Sequence, residues 1–286
     1  MSYDQYEQSR RSGRPFELYL FRYGSEPEAQ YGVTDAPEPI EYDGVTYEPA
    51  PIDREQVTTS GRLDENELTI TVARDDPLAV MLQTYPPSWV ISVIIRQGHF
   101  PQEPLASNPQ AGEALPVGFV GRVMERVGGG GAAVKLICAP SANSIQRVGL
   151  RRNYQWSCPH ALYGHLCQAS KEAATSQHEI IEISGNRITL LDFPVTGRLP
   201  QNYIAGLVEW DGQHAREYRT ILNVANGDRV SLSGPLMGLA VGDTVTVALG
   251  CAHDLHDCQH VHDNVLNYGG HPFIPQNNPF YKNNHD

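Results

Sequence analysis

Two pairs of cysteines are the residues of this chain best suited to chemistry. Cys158 and Cys167 lie in YQWSCPHALYGHLCQ (154–168), and Cys251 and Cys258 lie in GCAHDLHDCQHVHDNVLNYGGHPFIP (250–275). The second stretch also holds four of the eleven histidines: His253, His256, His260 and His262. Two separated pairs among only five cysteines point to a metal centre that draws both segments together. Zinc knuckles place about two to four residues between paired ligands, so that one tight turn presents both sulfurs to one ion. Here eight residues separate Cys158 from Cys167 and six separate Cys251 from Cys258. Such spacings suit loops wrapped around a larger body, an iron–sulfur cluster held by four thiolates. Pro159, Gly164 and Gly250 put irregular backbone beside the sulfurs, where amides can donate to them. The spacing leaves open zinc with Cys or mixed Cys/His ligands, disulfides formed after release, and thiols that bond nothing.

The remaining candidates have simpler readings. Each histidine taken singly reads as an exposed polar loop residue before it reads as a ligand. Asp254 and Asp257 offer carboxylates to a divalent ion, yet acidic loop residues are usually solvated. Cys138, inside the apolar run AAVKLICAP, reads as a buried small side chain. Metalloprotease HExxH and HxxEH patterns are absent, and so is a GxSxG elbow. Cys158-Pro159-His160 places a thiol beside an imidazole, but neighbours in an extended loop rarely face each other and no third group orients them. The glycines 128–131 lack the Lys-Ser/Thr ending of a phosphate loop.

Composition narrows the classes further. The 286 residues carry 21 Lys+Arg against 33 Asp+Glu, a net charge of −12, which argues against a phosphate-backbone binder. Arg147, Arg151 and Arg152 make one local basic patch against that trend. No apolar run approaches the roughly eighteen residues of a membrane span. The polar start MSYDQYEQSRRSGRPF has no signal-peptide core, so synthesis in the cytoplasm is expected. In that reducing compartment paired cysteines are metal ligands or redox groups more often than disulfides.

The elements that must position the cysteines are read as strands. PFELYLFRYG alternates, with Phe16, Leu18 and Leu20 on one face and Glu17, Tyr19 and Phe21 on the other. PIEYDGVTYEPAPI is a hairpin turning at Asp43-Gly44. ENELTITVARDDP sends Leu68, Ile70 and Val72 inward. DPLAVMLQTYPP is a short helix with Asp76 as N-cap and Pro77 first, stopped by Pro86 and Pro87. SWVISVIIRQGHF is a β-branched strand, 101–118 an excursion loop, and GFVGRVMERV with AAVKLICAP a hairpin. SANSIQRVGLRRN links this half to the first cysteine pair. Further hairpins turn at Gly185-Asn186, Asp211-Gly212 and Asn226-Gly227, and LAVGDTVTVALGC is a last strand delivering Cys251. Strands and turns at this spacing predict a mostly β chain of two or more small barrel or sandwich domains with few short helices. The expected divisions are a flexible arm over 1–14, a β-rich domain over 15–150, and a β-rich domain over 151–286 that carries the cysteines and an extended tail. In that tail Gly269-Gly270, Pro272, Pro275 and Pro279 give rigidity. Phe273, Ile274, Phe280 and Tyr281 are free to pack on the domain or on a neighbouring subunit.

With these residues in view, the chain resembles the tail-tip hub (baseplate hub) proteins of long-tailed, siphovirus-type phages and gene transfer agents. The likeness rests on CPHALYGHLC (158–167), GLVEWDG (206–212), LAVGDTVTVALGC, and the GC-x6-C followed by NVLNYGGHPFIPQNNPF (264–280). More loosely it extends to FELYLFRYG, ENELTITVARDDPLAVML and GFVGRVMER. It implies a structural virion protein at the tail tip, not an enzyme, with an iron–sulfur cluster of the [4Fe–4S] type on Cys158, Cys167, Cys251 and Cys258. It also implies a homotrimer joining a distal tail protein ring to a central tip or fibre protein, and passing DNA without sequence-specific binding. Two barrel-like domains per subunit would offer six similar faces to a six-fold tube. The crowding of histidines over 253–262 departs from the family and leaves mixed ligation or zinc open. Two other classes compete: a zinc- or cluster-containing tail-associated metalloenzyme such as a peptidoglycan hydrolase, and a redox sensor that changes conformation on cluster loss.

Overall fold

The computed structural model describes residues 7–8, 14–24, 29–57, 67–84, 87–100, 114–128, 131–142, 153–212 and 215–275. The expectations for most of the 1–14 arm, for the 101–113 part of the excursion loop, for the linker 143–152, for Pro86, and for Phe280 and Tyr281 fall outside these residues. The chain divides into two compact units, Met1–Arg147 and Val148–Asp286.

The first unit is one nine-stranded sheet. Its strands are β1 (Pro15–Tyr23), β2 (Gln30–Thr34), β3 (Ile40–Tyr42), β4 (Val45–Pro49), β5 (Ile52–Arg54), β6 (Leu68–Ala73), β7 (Ile91–His99), β8 (Val117–Gly128) and β9 (Ala133–Pro140). Their order across the sheet is β3-β4-β2-β1-β7-β8-β9-β6-β5. Among the described residues the pairings are antiparallel except β2 with β4, where Val33 meets Glu48 in parallel. The β3–β4 hairpin turns on Asp43 (φ 53°) and Gly44 (φ 75°), the two positive angles that a tight two-residue turn requires. Leu68, Ile70 and Val72 are buried in alternation. Asp76 accepts the Leu78 amide at 2.9 Å and caps the helix Pro77–Thr84.

β1 alternates as read, but both of its faces are covered. Tyr19, Phe21 and Tyr23 enter one core with Ile70, Val93 and Leu136, while Phe16, Leu18 and Leu20 enter a second with Ile40 and Tyr47. A strand buried on both sides must be apolar on both, which is why PFELYLFRY has almost no polar side. Its one acidic residue, Glu17, is held in an ion pair by Arg54 at the β5 edge, so the sheet curls until its far strand reaches β1. Within the mostly β architecture expected, this unit is one large sheet serving two cores. Burial pushes the Glu17 carboxyl up, but hydrogen bonds from Arg54, Tyr19 and Gln97 outweigh it and hold the group below its ordinary 4.5. A depressed carboxylate stabilises the fold above the unfolded value and loses that contribution as pH falls through the folded one. The stability of Glu17→Gln, followed by denaturant titration, should therefore fall less steeply below pH 4.5 than that of the wild type. Parallel pH curves for the two would contradict this role.

The second unit contains a closed six-stranded barrel. β10 (Thr175–Ser184), β11 (Arg187–Leu190), β12 (Leu207–Asp211), β13 (Arg216–Ala225), β14 (Arg229–Leu232) and β15 (Thr244–Ala248) run in the order β10-β11-β14-β13-β12-β15. β15 closes the barrel, pairing with β10 from Thr175↔Ala248 to Glu179↔Thr244 and with β12 from Leu207↔Ala248 to Glu209↔Thr246. Val245 and Val247 face the interior with Ile180, Val208, Trp210 and Val230, while Thr246 is only partly covered. Hairpins turn at 185–186 and at Asn226-Gly227 as expected. The last strand starts at Thr244, later than read from Leu239. The residues before it form a turn in which the Ala240 amide donates to Asp243 Oδ2 at 2.7 Å.

Candidate metal centre

The cysteines lie on two irregular segments at one end of this barrel. β15 ends at Ala248, and Gly250 carries the chain on to Cys251. The Gly250 amide donates to Asn202 O at 2.7 Å, so the backbone leaves the barrel in contact with the turn before β12. A Cβ on Gly250 would lie 1.8 Å from Ile204 O, an approach that only glycine permits. The short helix Leu255–His260 follows, capped by Asp254 Oδ1, which accepts the Asp257 amide at 2.8 Å, and it bears the buried Cys258. Cys158 and Cys167 flank a loop secured by Tyr163, whose hydroxyl donates to Leu249 O at 2.7 Å.

The two segments are laced to each other. Cys158 N donates to His253 O at 2.7 Å, and His253 Nδ1 lies 3.0 Å from Cys158 O. His271 N donates to Gln155 O, Tyr268 Oη to Trp156 O, and Trp156 Nε1 to Pro272 O. All four expected ligands, Cys158, Cys167, Cys251 and Cys258, line one cavity together with His160, His253, His262, Asp254, Asn264 and Asn267. Each of the four is a free thiol, as is Cys138.

Three sulfurs accept N–H groups: Cys251 from the His253 amide at 3.3 Å, Cys158 from the Gly269 amide at 3.4 Å, and Cys167 from Asn264 Nδ2 at 3.6 Å. Donors aimed at sulfur are what a thiolate ligand needs. A side chain at position 269 would strike the His160 ring, with its Cβ 2.4 Å from Cε1, so the amide reaches Cys158 only because this residue is glycine. Burial pushes the Cys258 thiol up to about 11, and the neighbouring Cys251, Cys158 and Cys167 add to the shift. Cys251 is raised by burial too, with its His253 hydrogen bond opposing and Asp257, Cys158 and Cys167 reinforcing. The sulfurs thus disfavour one another's charge, the electrostatic setting that a bound cationic core reverses. By donor chemistry, the residues present fit a thiolate-held metal group.

The backbone of both segments is strained in a way sequence could not reveal. Of eight non-glycine residues with positive φ among the described residues, four lie here: Tyr163, Gln168, His253 and Asp263. Such conformations cost about 1–3 kcal/mol each and concentrate at functional sites.

The histidines divide. His262 Nε2 lies 2.8 Å from Gly250 O and His160 Nδ1 lies 3.1 Å from Asn267 O, so both engage backbone carbonyls at the cavity. His256 and His260 are exposed, their rings 4.8 Å apart. Among the described residues, Asp254, His256 and Asp257 are the one set of metal-ligand types with atoms all within 4.8 Å of one another. Both carboxylates there already serve the backbone, Asp254 as helix cap and Asp257 as acceptor from the Ala252 amide. Cys138 lies in the first unit, fully buried and pushed up to about 12 by that burial, as its apolar setting required. Asn264 went unnoticed in the sequence, since nothing in an Asn-Val-Leu-Asn run marks a sulfur donor. In the tail, Phe273 is 92% exposed and does not pack on its own unit.

Comparison with known proteins adds two findings. Residues 201–278 match the family described as "Phage conserved hypothetical protein BR0599", a span that includes Cys251 and Cys258 but neither Cys158 nor Cys167. No curated protein matches the chain. Among solved structures, a chain in the "Virion of native gene transfer agent (GTA) particle" superposes with a TM-score of 0.75 at 18% identity, covering 96% of this chain and 93% of that one. At that identity the likeness establishes the fold: both units of this protein are built as in a chain of a gene transfer agent virion.

Proposed function

We propose that the protein is a structural component of a phage-type virion, acting as a tail-tip hub. In this reading it forms a homotrimer between the distal tail ring and the central tip or fibre protein, and DNA passes it without sequence-specific contact. Full-length correspondence of fold to a gene transfer agent virion chain carries the reading, and the phage family match over β12 to β15 and the second cysteine pair supports it. The net charge of −12 suits a lumen along which DNA slides. The C-terminal unit holds an iron–sulfur cluster, of [4Fe–4S] type, on Cys158, Cys167, Cys251 and Cys258.

Support for the cluster over zinc comes from the eight- and six-residue spacings within the two cysteine pairs, longer than the two to four of zinc knuckles. Loops of that length suit a larger body, and all four thiols line one cavity. When bound, the cluster would supply four thiolate cross-links and no open position for a substrate, so its role is structural. Outside the cysteine cavity, the described residues offer a tail-associated metalloenzyme the Asp254–His256–Asp257 set, and both of its carboxylates are already engaged.

Anaerobic purification followed by iron, sulfide and zinc analysis should find about four irons and four sulfides per chain. One zinc and no iron would overturn the cluster. Labelling of particles with an antibody to this chain should mark the tail tip; label confined to the unassembled lysate would overturn the hub.

A further inference from the structure

Cys251 and Cys158 receive their N–H groups from backbone amides, which no side-chain substitution removes. Cys167 differs, because its donor is the Asn264 side chain, reaching across from the other segment. The orientation of that amide is fixed by its partners. Asn264 Nδ2 donates to Cys167 O at 2.6 Å, and a carbonyl can only accept. Its Oδ1 accepts from Asn267 Nδ2 at 2.6 Å. The same residue also binds Cys258 through its backbone: Asn264 N donates to Cys258 O at 2.8 Å, and the Cys258 thiol points at Asn264 O at 3.2 Å. Asn267 is in turn anchored through its carbonyl to His160, on the first segment. One asparagine therefore touches a sulfur from each cysteine pair.

We propose that Asn264 is the positioning residue of the cysteine cage. It sets Cys167, whose sulfur accepts from a side chain rather than from a backbone amide, in register with Cys258, and Asn267 locks its amide in the donating orientation. This rests on the four-cysteine reading of the site and deepens it, since it makes metal capture depend on a residue that is not itself a ligand.

The test uses the full chain stripped of metal and titrated with cadmium, whose thiolate-to-metal absorption counts the engaged sulfurs whatever the native metal. Wild type should show the four-thiolate intensity. Asn264→Leu, close in volume but without a donor, should drop to the three-thiolate intensity and bind about 10- to 100-fold more weakly. Asn267→Ala should move both readouts the same way by less. Far-UV circular dichroism should be unchanged in both, which separates positioning from a general loss of fold. Asn264→Leu that keeps four-thiolate absorption and an affinity within about threefold of wild type overturns the role of Asn264 and leaves the cage standing. If that variant does not fold, Asn267→Ala decides, and wild-type behaviour there overturns the proposal. A wild-type chain that never reaches four thiolates brings down the four-cysteine reading and this inference with it.

Discussion

Cys251→Ser is expected to abolish the iron content of the purified chain and to leave particles without functional tails. Cys251 is one of four sulfurs that share the cavity, and an alcohol in its place is a poor ligand for iron or zinc. Three remaining thiols cannot fill the sites of a four-thiolate cluster. Damage to the fold should be confined. The barrel closes through β15 on its own hydrogen bonds, and the two cysteine segments are laced by contacts such as Cys158 N to His253 O. Hydrogen exchange should therefore accelerate over the cysteine segments, 153–168 and 250–271, while amides of the barrel strands keep their protection. Normal iron and normal infectivity in this variant would refute the proposed four-thiolate cluster. Exchange that accelerates through the whole barrel would instead mean that the metal holds the entire unit together.

A second large effect is expected from Gly250→Ala, which alters no ligand. The added methyl group would sit 1.8 Å from Ile204 O and 2.6 Å from Gly206 N, with backbone on both sides. Neither neighbour is a flexible side-chain tip, so relief requires β15 and the turn before β12 to part. The cost should be about 3 kcal/mol or more, and the melting temperature of a unit this size should fall by about 10 °C. Gly131→Ala, where a Cβ would meet nothing within 4 Å, is the matched control and should be neutral. Because Gly250 precedes Cys251, iron should decline with stability. An unchanged melting temperature would show that this end of the barrel yields more readily than its contacts imply.

Much of this was legible in the residues. The alternation of Leu68, Ile70 and Val72 and the Asp76-Pro77 start of the helix translate directly into structure, because period-two burial and side-chain capping are local. The Asp43-Gly44 and Asn226-Gly227 turns are local in the same sense. The two-sided burial of β1 was half legible, since its second face is apolar, but the curl that brings Arg54 to Glu17 joins strands far apart in sequence. In the candidate site the ligand types were readable and their convergence was not. Left-handed backbone at Tyr163 and His253, and an asparagine acting across the segments, follow from how the loops lie on the barrel end. Among the histidines, His256 and His260 are exposed, as a polar loop predicts, while His160, outside that crowd, is buried at the cavity.

The position of β15 has a consequence for how the protein is made. It is the last strand of the barrel, yet it seals the seam between β10 and β12, and Cys251 follows three residues after it. On the ribosome, where domains form as they emerge, Cys158 and Cys167 are translated long before any partner sulfur exists. They wait as bare thiols until the seam shuts and the final turn presents Cys251 and Cys258. With the proposed four-thiolate cluster, metal delivery would act on a nearly finished chain, and a cell short of iron would accumulate closed barrels with an open-ended cage rather than unfolded polypeptide.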